Sequence, residues 1–178
     1  MVATFVVEDG TGLTTANSYT TVAFADQYHE DYGNPASWSA LLLADKEAAL
    51  RVATRYLDDV YGLRWVGIRA TQEQALDWPR VAALDADQYA VDPDSVPIEV
   101  QQATAIMALK HVEEGAAGTV LEPDIAAGSG GLKRERVKAG PVEQDREWLG
   151  AKQDYKIYTV VSRLLLTLLR SRQILERA

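Results

Sequence analysis

Residues 45–61 read DKEAALRVATRYLDDVY, and Gly62 follows. Ala49, Val52, Ala53, Tyr56, Leu57 and Val60 recur at the spacing that lays one apolar stripe along an α-helix. Asp45 stands in the first turn and a glycine just past the last apolar residue ends the run, so the segment predicts a helix from Asp45 to Tyr61. The segments on either side carry the same periodicity. Thr20 or Thr21 can cap a helix that places Val22, Ala25, Tyr28, His29 and Tyr32 on one face, with Gly33 as its stop. Pro97 suits the first turn of a helix through Glu114, with Val100, Ala103, Thr104, Met107, Ala108 and His111 inward.

The remaining segments are shorter or polar. Ala3–Val7 is expected as a short strand ahead of a Gly-Thr-Gly turn. Thr71-Gln-Glu-Gln74 has the spacing of a capping box and predicts a short helix ending before Trp78-Pro79. Residues 84–97, LDADQYAVDPDSVP, form an acidic loop punctuated by prolines. A last helix is expected from about Tyr158 to Gln173, with Val161, Leu164, Leu165, Leu168 and Leu169 as its stripe. The expected fold is therefore mainly α: a small helical bundle with an extended β-like arm and a C-terminal helix. Residues 1–127 make the bundle core with its short N-terminal strand, 128–150 a hinge and arm, and 151–178 a basic helix or tail.

Composition narrows the chemistry. The chain of 178 residues is 47% hydrophobic, enough for a real core, and holds no cysteine. Disulfide scaffolds, cysteine-based metal sites and thiol nucleophiles are thereby excluded. The longest apolar stretch, Ile157 to Leu169, is interrupted by Arg163 and falls short of the roughly 20 residues a membrane span needs. No membrane role is expected, and the start of the chain does not read as a secretion signal. The net charge is −8, unevenly spread: residues 1–150 carry 12 Lys+Arg against 24 Asp+Glu, whereas residues 151–178 carry 6 against 2. An acidic body with a basic end fits docking on an acidic surface better than indiscriminate phosphate binding.

No motif carries catalysis. His29 lies beside Glu30 and Asp31, but consecutive helical positions point apart, so a structural histidine is the better reading. Asp85-Ala-Asp87 and Asp92-Pro-Asp94 lack the central glycine and distal glutamate of a calcium loop. Gly10-Thr11-Gly12 is not a dinucleotide fingerprint, and Gly128-Ser129-Gly130-Gly131 reads as a flexible hinge rather than a nucleophile elbow. No catalytic residue, metal site or cofactor is expected. Four tryptophans and several arginines leave one alternative, a surface that stacks single-stranded bases, for which Arg64, Trp65 and Arg80 are the candidates. Packing of the aromatics in the core or at an interface competes with it.

The stretch GSGGLKRERVKAGPVEQDREW, residues 128–148, sets four cations and one anion in Lys133–Lys138 ahead of Ala139-Gly140-Pro141. Alternating polar strands suit pairing with another strand, and a lone hairpin is marginal in water. Leu132, Lys133, Arg134, Arg136, Val137, Lys138, Pro141, Val142 and Trp148 are therefore expected to form an arm that orders on a neighbouring subunit. The terminal stripe can fold back on its own bundle or dock on a partner, with its arginines outward.

Several stretches together resemble a family of tailed-phage proteins: VVEDGTGLTTANSYTTVAFADQYHEDYGN (6–34), KEAALRVATRYLDDVYGLRWVGIRA (46–70), QALDWPR (74–80), VPIEVQQATAIMALKH (96–111) and KRERVKAGPVEQDREW (133–148). Such proteins are often labelled "DnaT-like single-stranded-DNA-binding", while their architecture looks like that of head–tail connector (adaptor) proteins. The resemblance implies a homo-oligomeric ring of twelve subunits in the virion neck. It implies binding to the portal protein and to a tail or neck protein, with DNA passing through the lumen without sequence-specific contacts. It assigns portal contact to Tyr158, Arg163, Leu165, Leu168, Leu169, Arg170 and Arg172. A structural adaptor is thus the expected function, and a single-stranded-DNA-binding replication accessory protein is the alternative.

Overall fold

The computed structural model describes residues 4–114 and 158–170, together with the backbone of 135–139 and 142–146. The chain divides into two compact units, Met1–Leu121 with Thr159–Ala178, and Glu122–Tyr158. The described residues are mainly α.

In the first unit the helices are α1 (Val22–Asp31), α2 (Ala36–Ser39), α3 (Leu43–Tyr61), α4 (Ile98–Glu114) and α5 (Thr159–Leu164). Thr21 caps α1 as expected, its hydroxyl accepting from the Phe24 N–H at 3.0 Å. The core is centred on the packing of α3 against α4, with α1, α2 and α5 also touching α4. On α4 the buried residues are Val100, Ala103, Thr104, Ala105, Met107 and Ala108. On α3 they are Ala49, Leu50, Ala53, Thr54, Leu57 and Tyr61. That stripe is rotated from the expected one: Val60 is exposed, and Leu50 and Tyr61 are buried instead. The reason is visible in the sequence. Each turn offers two adjacent apolar residues (49/50, 52/53, 56/57, 60/61), and the second of each pair is buried, Ala49 with them.

The predicted strand Ala3–Val7 is replaced by one parallel bridge, Val7 to Ser18. Asn17 takes over the pairing: its Oδ1 accepts from Val6 N–H at 3.0 Å, and its own N–H donates to Val6 O at 2.8 Å. The next residue, Glu8, is 4% exposed and organises the loop that follows. Its carboxylate accepts from the N–H groups of Gly10, Gly12 and Leu13 at 3.0, 2.9 and 2.9 Å. Gly10 has φ +99°, and a Cβ there would lie 1.9 Å from the Asp94 carbonyl oxygen, so only glycine lets this loop pack on the acidic one.

The helix predicted from Thr71 is absent. The capping-box bonds do form, Gln74 N–H to Thr71 Oγ1 at 3.1 Å and Thr71 N–H to Gln74 Oε1 at 2.8 Å. They close a turn instead, because the buried Gln74 amide then donates to the carbonyls of Leu76 and Pro79 at 2.8 and 3.1 Å. This turn returns the chain so that β1 (Ile68–Arg69) pairs antiparallel with β2 (Arg80–Val81).

The terminal segment also departs from a single long helix. After α5 the chain makes a 3-10 turn, Leu166–Leu168, and then bridges Leu169 to Trp65. Val66 N–H donates to Leu168 O at 3.0 Å and Arg170 N–H to Arg64 O at 2.7 Å. Val161, Leu165, Leu168 and Leu169 are buried in this unit. Each contributes roughly 2 kcal/mol, against about 0–1 for an exposed ion pair, so the segment is part of its own core.

In the second unit, β3 (Glu135–Ala139) and β4 (Val142–Arg146) form an antiparallel hairpin in the register Glu135↔Arg146 to Ala139↔Val142. The strands expected of the arm are thus present and pair with each other. Leu132, Lys133, Arg134, Pro141 and Trp148 lie outside the described residues.

Candidate nucleic-acid interface

The loop from Gly62 to Val81 holds all three residues singled out for DNA contact. Trp65 and Trp78 are both 0% exposed, their rings meeting edge to face at 5.8 Å. Their faces are covered by protein and cannot stack on a base. Trp38 is equally buried against His29 and donates to Asp26 Oδ1 at 2.7 Å, where Lys46 also pairs. His29 itself is structural: its Nε2 lies 3.1 Å from Ala105 O, and burial holds its pKa below the usual histidine range.

Arg80 is 7% exposed and spends its guanidinium on backbone. Nε donates to Val66 O at 2.7 Å, Nη1 to Asp77 O at 3.0 Å and Nη2 to Gly67 O at 3.0 Å. This is a loop-fixing role, and burial lowers its pKa against the opposing charge of Asp77. Gly67 has φ +68°, and a Cβ there would sit 2.5 Å from Val81 O, so the close approach of this carbonyl requires glycine. Two further arginines also bond backbone carbonyls of this loop. Arg170 Nη2 donates to Gly67 O at 2.7 Å, and Arg69 Nη2 donates to Gln74 O. Both are exposed, as is the side chain of Ile68 between Gly67 and Arg69. Arg64 is half-buried, and its Nε has no partner.

An open cleft of about 520 Å³ lies on α3, lined among others by Arg51, Arg55, Asp58, Asp59 and Asp77. Its floor is a hydrogen-bonded knot. The buried Tyr19 hydroxyl donates to Asp58 Oδ1 and accepts from the N–H groups of Asp77 and Trp78 at 3.0 and 3.3 Å. Burial raises the Asp58 carboxyl to about 7, helped by the nearby charge of Asp77. Burial also raises Asp77, with Arg80 and Arg69 opposing. Arg55 is paired with Asp59 at 2.9 Å. Three carboxyl groups against two arginines make the cleft a poor seat for phosphate. The knot instead ties the N-terminal segment, α3 and the Asp77–Pro79 turn together. Sequence reading passed over it, because its members lie 58 positions apart, although an aspartate inside an apolar helix (Leu57-Asp58) was a readable signal.

Among the described residues no group of three or more His, Cys, Asp or Glu could hold a metal, and no helix is long and apolar enough to cross a membrane.

Residues 3–178 match the family described as "Putative DnaT-like ssDNA binding protein". The chain belongs to that family. No curated protein and no solved structure matches it. Membership of the DnaT-like family over the whole chain overturns the head–tail connector assignment, which rested on resemblance alone. The adaptor function goes with it, as do the virion-neck role, the twelve-subunit ring and the portal and tail partners. The DNA-binding description of the family also replaces a lumen through which DNA merely slides. The residues once assigned to portal contact have local roles that fit this correction: Leu165, Leu168 and Leu169 are core, and Arg170 anchors the segment to Gly67. Tyr158 is half-buried, Arg163 is exposed, and Arg172 lies outside the described residues.

Proposed function

We propose that this protein binds single-stranded DNA as a binding factor rather than an enzyme, the alternative raised by its sequence. The observation that carries the reading is family membership across residues 3–178. Charge distribution supports it. Residues 4–114 carry 7 Lys+Arg against 18 Asp+Glu, whereas residues 115–178 carry 11 against 8. The cations that phosphates require are therefore concentrated late in the chain, and the acidic body suppresses adsorption elsewhere. Because Trp38, Trp65 and Trp78 are core residues, phosphate contacts rather than stacking on these rings should dominate affinity. In its finer architecture we read the fold as a small helical bundle that carries an extended hairpin arm and a C-terminal helical segment.

A gel shift with a fluorescent thymidine oligomer of roughly 30 nucleotides tests the reading. Unlabelled single strand should displace the probe at about tenfold lower concentration than a duplex of equal length. Absence of a shift at about 50 mM salt, or equal competition by duplex, would overturn it.

A further inference from the structure

Arg69 and Arg80 are directly opposed partners in the β1–β2 pair. Like charges in that position repel, and a third guanidinium, that of Arg170, acts on the same site through Gly67. Asp77 is the carboxylate that acts on both Arg69 and Arg80, yet it pairs with neither within 4.0 Å. None of Arg64, Arg69, Arg80 or Arg170 takes part in an ion pair among the described residues, in a body that is otherwise strongly acidic.

Resting on the single-stranded-DNA reading above, we propose that the exposed guanidiniums of Arg69, two positions after Gly67, and of Arg170, bonded to the Gly67 carbonyl, hold phosphates of one single strand. Each arginine spends one nitrogen on a backbone carbonyl and keeps the remaining N–H donors of its planar fork for an anion. Those bonds also hold both forks in place before a strand arrives, which reduces the ordering cost of binding. Arg80, fully committed to carbonyls, supports the site without touching DNA. The family description says that single-stranded DNA is bound; the geometry points to where.

The test is fluorescence anisotropy of the full chain with the thymidine oligomer between about 50 and 200 mM salt. The Arg69→Ala/Arg170→Ala variant should bind on the order of tenfold more weakly at the lower salt, with a log–log salt slope shallower by about 1.4 for two lost contacts. Lysines at both positions should restore most of the slope, because the charge returns without the fork. Should the alanine variant melt early, Arg69→Gln decides, since it removes one charge and keeps a polar side chain; a slope change of about 0.7 is expected. Wild-type binding with alanine variants within about twofold of it, or with the lysine variant as weak as alanine, overturns this site while leaving the function intact. Failure of the wild type to bind refutes the function, and this site with it.

Discussion

Replacing Asp58 with asparagine is expected to stabilise the protein most at pH 8 and by less than half as much at pH 5. The carboxyl sits beneath the Tyr19 hydroxyl, where burial raises it from 3.8 to about 7. The folded protein thus keeps a proton that the unfolded chain has released. A raised carboxyl contributes stability in full below the unfolded value, loses it as pH climbs from about 4 to about 7, and contributes nothing above that. At 1.36 kcal/mol per unit the interval amounts to roughly 4 kcal/mol. Asparagine mimics the neutral form throughout and can still accept from Tyr19. Urea unfolding followed by circular dichroism between pH 5 and 8 should show a falling wild-type stability and a much flatter variant. Parallel curves would show that Asp58 does not titrate where its burial places it. Asp77, raised in the same direction, should leave a residual slope of the same sign.

Removing the Arg80 side chain should be the most damaging single change in the Gly62–Val81 loop. Alanine there leaves the carbonyls of Val66, Gly67 and Asp77 without their charged donor and strips Asp77 of its main counter-charge. Unsatisfied buried acceptors cost about 1–3 kcal/mol each, and one or two will recover water, so a net loss of about 4 kcal/mol is expected. Lysine should recover little, because a single ammonium on a flexible stem does not match three carbonyls held by a planar fork. Thermal melts of the two variants check this. A loss below about 1 kcal/mol for alanine would mean that the loop is held by its apolar contacts with Trp65 and Trp78 instead.

How much of this could be read from residues alone differs from element to element. The three long helices were legible because their periodicity and stops are local, and Thr21 caps α1 where a hydroxyl was needed. The phase of α3 was not, since doublets such as Val60-Tyr61 satisfy two stripes equally and only tertiary packing, here of Tyr61 on Trp65 and Ser162, chooses between them. Thr71 and Gln74 showed the bonds of a capping box without the helix, because Gln74 is claimed by the Leu76 and Pro79 carbonyls, which sequence spacing does not reveal. The terminal leucines read as a continuous helix until Trp65 offered a backbone to pair with. At the candidate site, Arg64, Trp65 and Arg80 all lie in the Gly62–Val81 loop, but burial takes Trp65 and Arg80 out of a strand's reach. The tryptophan is its core and Arg80 its brace, while Arg69 and Arg170 stay exposed. Arg170 joins them across 103 positions, a juxtaposition that only the fold creates. The connector assignment fell instead to the family match over residues 3–178, which no local spacing announces.

Photo-crosslinking of the full chain to a thymidine oligomer, followed by peptide mapping, tests most directly whether an acidic protein captures single strands through the arginines that form no ion pair among the described residues. Adducts should fall on peptides from Gly62–Val81 and from the cation-rich C-terminal third, and should fade as salt rises. No adduct at low salt, or adducts confined to the acidic stretch Asp85–Asp94, would contradict the account.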